Sequence, residues 1–169
     1  MLRLCLLMAG LLLTSGCGYH LPGQVNNLPD DIRTVYVGTF ANQTSEPFVE
    51  NRVTDSVITE FARSDILSLI GEKQKADAIL TGTVVRYSQS AVAYSRTDRI
   101  EEYRSSMSVE AALRRQDTGR TLWKGTLEWS EEFASDRDKA VQEDNEARAI
   151  EDISDRISEQ LYARILDTF

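Results

Sequence analysis

Apolar residues recur along this chain with two distinct spacings. Over 49–62 they return every fourth position, at Val49, Val53, Val57 and Phe61, with Ile58 and Ala62 beside them. Side chains that far apart share one helix face, so the segment is predicted as an amphipathic helix. Ser45 is its expected N-cap, Pro47 its expected first turn, and Glu46 and Glu50 suit the positive end of its dipole. A second stripe, Ile150, Ile153, Ile157, Leu161 and Ile165, predicts a second helix, with Glu151, Asp152, Asp155, Arg156 and Glu159 opposite.

Between the helices the period falls to two. Tyr103, Met107, Val109, Ala111 and Leu113 alternate with Arg104, Ser106, Ser108, Glu110 and Arg114. Trp123, Leu127, Trp129 and Phe133 alternate in the same way with Lys124, Thr126, Glu128 and Ser130. "QDTG" at 116–119 is a tight connection in which Gly119 is free to take positive φ. Further strands are predicted at "RTVYVGTF", 33–40, at "ILSLI", 66–70, and from "DAILTGTVVRY" onward, followed by a looser Ser/Arg-rich region at 88–100. The order is β-α-β-β-β-β-α. That order predicts an α+β two-layer sandwich, a mixed sheet of four to five strands with two helices on one face. The opposite face alternates polar, so it meets solvent or a partner.

The N-terminus has another character. Arg3, an apolar run from Leu4 to Leu13, and the small residues Thr14-Ser15-Gly16 lay out a secretory signal. The run is about half of the roughly 20 residues a membrane-spanning helix needs. Cys5 falls inside the segment to be removed, which leaves Cys17 as the lone thiol of the exported chain. A lone thiol cannot pair within its own chain, and its place at the cleavage point suits modification. The stretch resembles the lipobox of bacterial lipoproteins, with its leucine one position early at Leu13. The expected organisation is a signal peptide at 1–16, a lipidated N-terminus and short linker at 17–31, and one domain at 32–169. Gly18 lacks the aspartate that retains enterobacterial lipoproteins in the inner membrane, which favours the outer membrane. The linker is short, so the domain is held close to its membrane.

Charge and chemistry narrow the function. The chain carries 27 acidic and 19 basic side chains, net −8. Such acidity argues against general nucleic-acid binding. One histidine, His20, supplies no transition-metal set, and no nucleophile elbow, Walker loop or dinucleotide fingerprint is present. Neither cofactor nor metal is expected, and no catalytic residue is named. The sequon Asn42-Gln43-Thr44 is taken as plain loop, and the two tryptophans as core. Positive charge gathers in one stretch. Arg86, Arg96, Arg99, Arg104, Arg114, Arg115, Arg120 and Lys124 make it net positive, whereas 128–169 is strongly acidic. The arginines form either a phosphate- or partner-facing patch or a solvated face that balances the acidic helices.

Three segments together carry a family resemblance. They are Cys17-Gly18-Tyr19-His20-Leu21, then "LPDDIRTVYVGTFANQTSEPFVENRVTDSVITEF", then "ADAILTGTVVRYSQSAVAY". In this order they resemble LptE, the lipopolysaccharide-assembly lipoprotein family, over most of the exported chain. The resemblance implies a non-enzymatic outer-membrane lipoprotein on the periplasmic face, partnered one-to-one with the large β-barrel LptD. It implies a plug that helps assemble the barrel and takes part in inserting lipopolysaccharide in the outer leaflet. It implies contact with lipopolysaccharide or barrel through basic residues near strand ends and loops, here Arg96, Arg99, Arg114, Arg115 and Arg120. The same pattern also resembles lipoproteins that activate peptidoglycan synthases and lipoproteins of secretion pores. The missing long linker counts against the synthase activators.

Overall fold

The computed structural model describes residues 28–167. The signal segment, Cys17 and His20 lie outside the described residues. Six strands form one mixed sheet, and two helices pack on one of its faces. The strands are β1 (Thr34–Val37), β2 (Ala41–Asn42), β3 (Ser68–Leu69), β4 (Ala78–Tyr94), β5 (Ile100–Arg115) and β6 (Thr121–Ala134). The helices are α1 (Val49–Ala62) and α2 (Lys139–Asp167). The sheet order is β3-β1-β4-β5-β6, with β2 also pairing β4, beyond β1. β1, β2 and β3 run parallel to their neighbours, and β4, β5 and β6 form an antiparallel meander.

The predicted strand at 33–40 stops at Val37, and after a break a further short strand, Ala41–Asn42, brings the sheet to six. The break has a packing cause. The Phe40 amide leaves the ladder and donates to Thr54 Oγ1 of α1 at 3.0 Å. Its ring drops onto β4 where Gly82 has no side chain, and a Cβ there would sit 2.1 Å from the ring. The chain then rejoins the edge of β4, with the Gln43 amide donating to the Val84 carbonyl at 2.9 Å.

α1 starts at Val49, later than the expected Ser45 cap. The cap position is Phe48, left-handed at φ 63° and making no side-chain cap bond. Asn42 explains the delay. Its Oδ1 accepts from the amide and hydroxyl of Thr44, and Thr44 Oγ1 in turn accepts from the Glu46 amide. Asn42 Nδ2 donates to the Glu46 carbonyl at 2.7 Å. This polar turn holds Ser45 and Pro47 ahead of the helix.

The Ser/Arg-rich stretch at 88–100 is mostly strand rather than loose. β4 runs on to Tyr94, paired with β5 as far as Ile100, and only 95–99 turn. Its few large apolar residues, Val92 and Tyr94 among them, are exposed because the sheet here extends past the main core. β4 carries an extra residue at Val85 and another at Val92, so its distal half is bulged.

The two helices lie side by side and parallel. Ser56 Oγ donates to Asp155 Oδ1 at 2.7 Å, and Ser64 Oγ meets Tyr162 Oη at 2.7 Å. The core between helices and sheet holds the predicted stripes, with Val53, Val57, Ile153, Ile157, Leu161 and Ile165 fully buried against Leu80, Val109, Leu113 and Leu127. Trp123 is buried there and Trp129 is half-buried. Leu28 and Ile32, at the start of the described chain, are buried in the same core.

Candidate partner-facing surface

β4, β5 and β6 line up residue by residue on the face away from the helices. Across the strands the rows read Thr83, Glu110, Thr126, then Arg86, Ser108, Glu128, then Ser88, Ser106, Ser130, then Ser90, Arg104, Glu132. No described element covers this face. Small hydroxyl residues form its floor, and Ser130 Oγ donates to Ser106 Oγ at 2.8 Å. Arg86 reaches Glu128 at 3.3 Å across Ser108, and Arg104 pairs with Glu132 directly opposite. These exposed pairs set a charge pattern and contribute little stability. The face is polar, and Arg86, Ser88, Ser106, Ser108, Glu128 and Ser130 line a shallow recess on it.

The five arginines singled out from the sequence do not come together. Arg96 and Arg99 belong to the β4–β5 turn region, whereas Arg114, Arg115 and Arg120 surround the β5–β6 turn. The 16 residues of β5 separate the two groups, a span of about 50 Å. The single stretch of positive charge in sequence is two separate groups in space.

At the β5–β6 end, Arg115 is already engaged. Its two terminal nitrogens donate to both carboxylate oxygens of Asp31 at 2.6 and 2.9 Å. The guanidinium beside it holds the Asp31 carboxyl below the usual carboxylate range, and the carboxylate raises Arg115 in turn. Arg115 thus fastens the lead-in to β1 onto the sheet. Arg114 is exposed and makes no ion pair among the described residues. Asp77 works beside this clamp. Its Oδ2 accepts from the Arg33 amide, the Thr34 amide and the Thr34 hydroxyl at 2.8–3.0 Å. Burial pushes the Asp77 carboxyl up, but these bonds outweigh it and hold it below its ordinary value.

At the opposite end, Arg99 shares a shallow recess with Ser95, Glu101, Ser135, Asp136 and Arg137. Arg137 was not anticipated, because it stands in the acidic stretch before α2; only the turn chemistry of "SDRD" marked the place. Arg99 Nε donates to Thr97 Oγ1 at 3.2 Å.

A polar cluster closes the helix face just below. Tyr87 Oη donates to Glu146 Oε1 at 2.8 Å and lies 2.9 Å from Ser105 Oγ. Burial and the nearby carboxylate push the Tyr87 hydroxyl up, so it stays a neutral donor. Burial, then the charge of Glu146, raises Glu46. Among the described residues no acidic, histidine or cysteine group is arranged to hold a metal ion. No described helix is long and apolar enough to cross a membrane.

The model of the LptE family, described as lipopolysaccharide-assembly, matches residues 32–165, nearly all of the domain. The chain belongs to the LptE family. Solved structures share its fold at low identity. A protein from Xanthomonas campestris is 16% identical, covers 88% of this chain and 90% of its own, and superposes with a TM-score of 0.60. An uncharacterized lipoprotein B from Nitrosomonas europaea is 15% identical, with 89% and 92% covered and a TM-score of 0.58. A hypothetical protein from Chlamydia trachomatis is 10% identical, with 79% and 95% covered and a TM-score of 0.56. No curated protein matches the chain in sequence. Membership of LptE makes this a lipopolysaccharide-assembly protein of a lipoprotein family.

Proposed function

We propose that this LptE-family chain is an outer-membrane lipoprotein that plugs an LptD-type β-barrel one-to-one, helps it assemble and takes part in lipopolysaccharide insertion. Lipid on Cys17 anchors it at the periplasmic face, after removal of residues 1–16. The observation that carries the plug is the uncovered face of β4–β6. It is wide and hydroxyl-lined, and Arg86–Glu128 and Arg104–Glu132 pair across its strands, which suits burial against a polar barrel lumen. The protein does this without catalysis or cofactor.

Of the five arginines, Arg99 and its turn neighbour Arg96 are the better placed for lipopolysaccharide phosphate: Arg137 shares the Arg99 recess with Glu101 and Asp136, and among the described residues no carboxylate pairs with Arg96 or Arg99 as Asp31 pairs with Arg115. Arg114 and Arg120 form a second, weaker contact. The deciding experiment recovers tagged full-length protein from detergent-solubilised outer membranes and weighs its partners. A large β-barrel at equal stoichiometry supports the plug. A peptidoglycan synthase or a secretion complex in its place overturns it.

A further inference from the structure

The sheet has two long edges, and they are treated differently. The edge of β6 is guarded. Arg164 of α2 donates to the Thr126 carbonyl at 3.1 Å, and Asn145 donates to the Ala134 carbonyl at 3.0 Å. Lys124, Glu128, Glu131 and Glu132 put charge along that strand. Natural proteins blunt exposed edges by such means.

The edge of β4 beyond Val84 has no such protection. β2 ends its pairing at Val84, and among the described residues no strand follows it on that side. The free edge is Val85–Tyr94, about 33 Å long. From Tyr87 to Tyr94 the sequence "YSQSAVAY" contains no charge and no proline. Val92 and Tyr94 are exposed at its far end, Tyr94 by 61%. Phe48, 70% exposed and held at φ 63°, belongs to the loop that leaves β4 at its near end. Among the described residues, two bulges and Arg86, which is turned to Glu128 across the sheet face, are what guards this edge, against capping and a run of charges on the other.

We propose that Val85–Tyr94 is a strand-addition site for an extended segment of a partner polypeptide, apolar at alternate positions and bearing a Lys or Arg where it passes Glu46 and Glu146. An added strand takes its affinity from main-chain hydrogen bonds and its specificity from alternate side chains. The exposed apolar groups at both ends of the edge receive those side chains. The two carboxylates beside Tyr87 set the charge of the near end. A second copy of this chain is a poorer occupant. Its own Tyr87–Tyr94 carries no Lys or Arg to meet Glu46 and Glu146. The site does not depend on the partner being a barrel.

Amide hydrogen exchange tests the proposal, with the full-length protein pulse-labelled in native membranes and, separately, purified in detergent as the free chain. The expected result is that amides of 87–94 exchange at least about tenfold more slowly in membranes, while the β5–β6 ladder is unchanged. In the double variant Gln89→Lys, Val92→Lys, which leaves the rows of the plug face untouched, the extra protection is lost. Both side chains are exposed, and an unchanged β5–β6 ladder verifies that the variant is folded. Equal exchange in both settings overturns the proposal. Protection that appears in the free chain with a doubled mass identifies a second copy and overturns the assigned occupant. Protection that survives the double variant also overturns it. A barrel recovered without protection of 87–94 removes only the strand site, and protection without a barrel removes only the plug.

Discussion

At the scale of single residues, two positions tie the N-terminal half of the fold to β4. Gly82 is the space into which the Phe40 ring fits. Phe40 is itself buried and cannot swing aside. Gly82→Ala is therefore expected to destabilise the domain by about 2 kcal/mol, read as a lower urea midpoint at unchanged slope. Asp77 collects three hydrogen bonds on one oxygen at the start of β1. Its folded carboxyl titrates below its unfolded value, so its contribution is complete above about pH 4 and fades as pH falls through the folded value. Asp77→Asn is expected to cost about 1 kcal/mol near neutrality. The gap from the wild type should narrow in acid, in denaturation curves taken from pH 7 down to pH 3. A constant gap would show that the charge of Asp77 does not matter.

At the scale of elements, the joint between α1 and the broken β1–β2 edge rests on Thr54. Its hydroxyl donates to the Glu50 carbonyl at 2.6 Å and accepts from the Phe40 amide. Thr54→Val keeps the shape and leaves that amide buried without a partner. The expected cost is about 2 kcal/mol, together with faster exchange of the Phe40 amide. The helix stripes and the β5–β6 alternation were legible because burial there follows one period, broken only where Ser108 and Leu122 are buried out of turn. Met107, Val109, Leu113 and Leu127 point where the pattern says. Three things were not legible. The Asn42–Thr44–Glu46 turn that displaces the N-cap is a local side-chain network with no periodicity. The distal half of β4 is strand by pairing alone, and pairing is not written in hydropathy. The grouping of the arginines depends on hairpin length, and two residues adjacent in sequence, Arg114 and Arg115, have different fates.

At the scale of the whole molecule, the two basic ends can be told apart. Arg96→Glu, Arg99→Glu removes the exposed cations at the β4–β5 turn. It should weaken binding to immobilised lipopolysaccharide about tenfold or more at low salt and less at high salt, where exposed charges are screened. Arg114→Glu should have the smaller effect, and both proteins should keep the wild-type melting curve. A larger loss for Arg114→Glu would move the contact to the other end of the sheet. Arg115→Glu is a poor probe of binding, because it breaks the Asp31 clamp and places two acids together.

That clamp has a mechanical meaning. Leu28, Asp31 and Ile32 are fastened at the end of the sheet opposite the β4–β5 tip. With the proposed lipid on Cys17, the domain is moored to the membrane through the chain that enters it at Leu28. Releasing Leu28–Ile32 would pay out five more residues, about 17 Å of slack. The Asp31–Arg115 pair then acts as a cleat that shortens the line and limits how far the tip, about 50 Å away along β5, can stray from its working position.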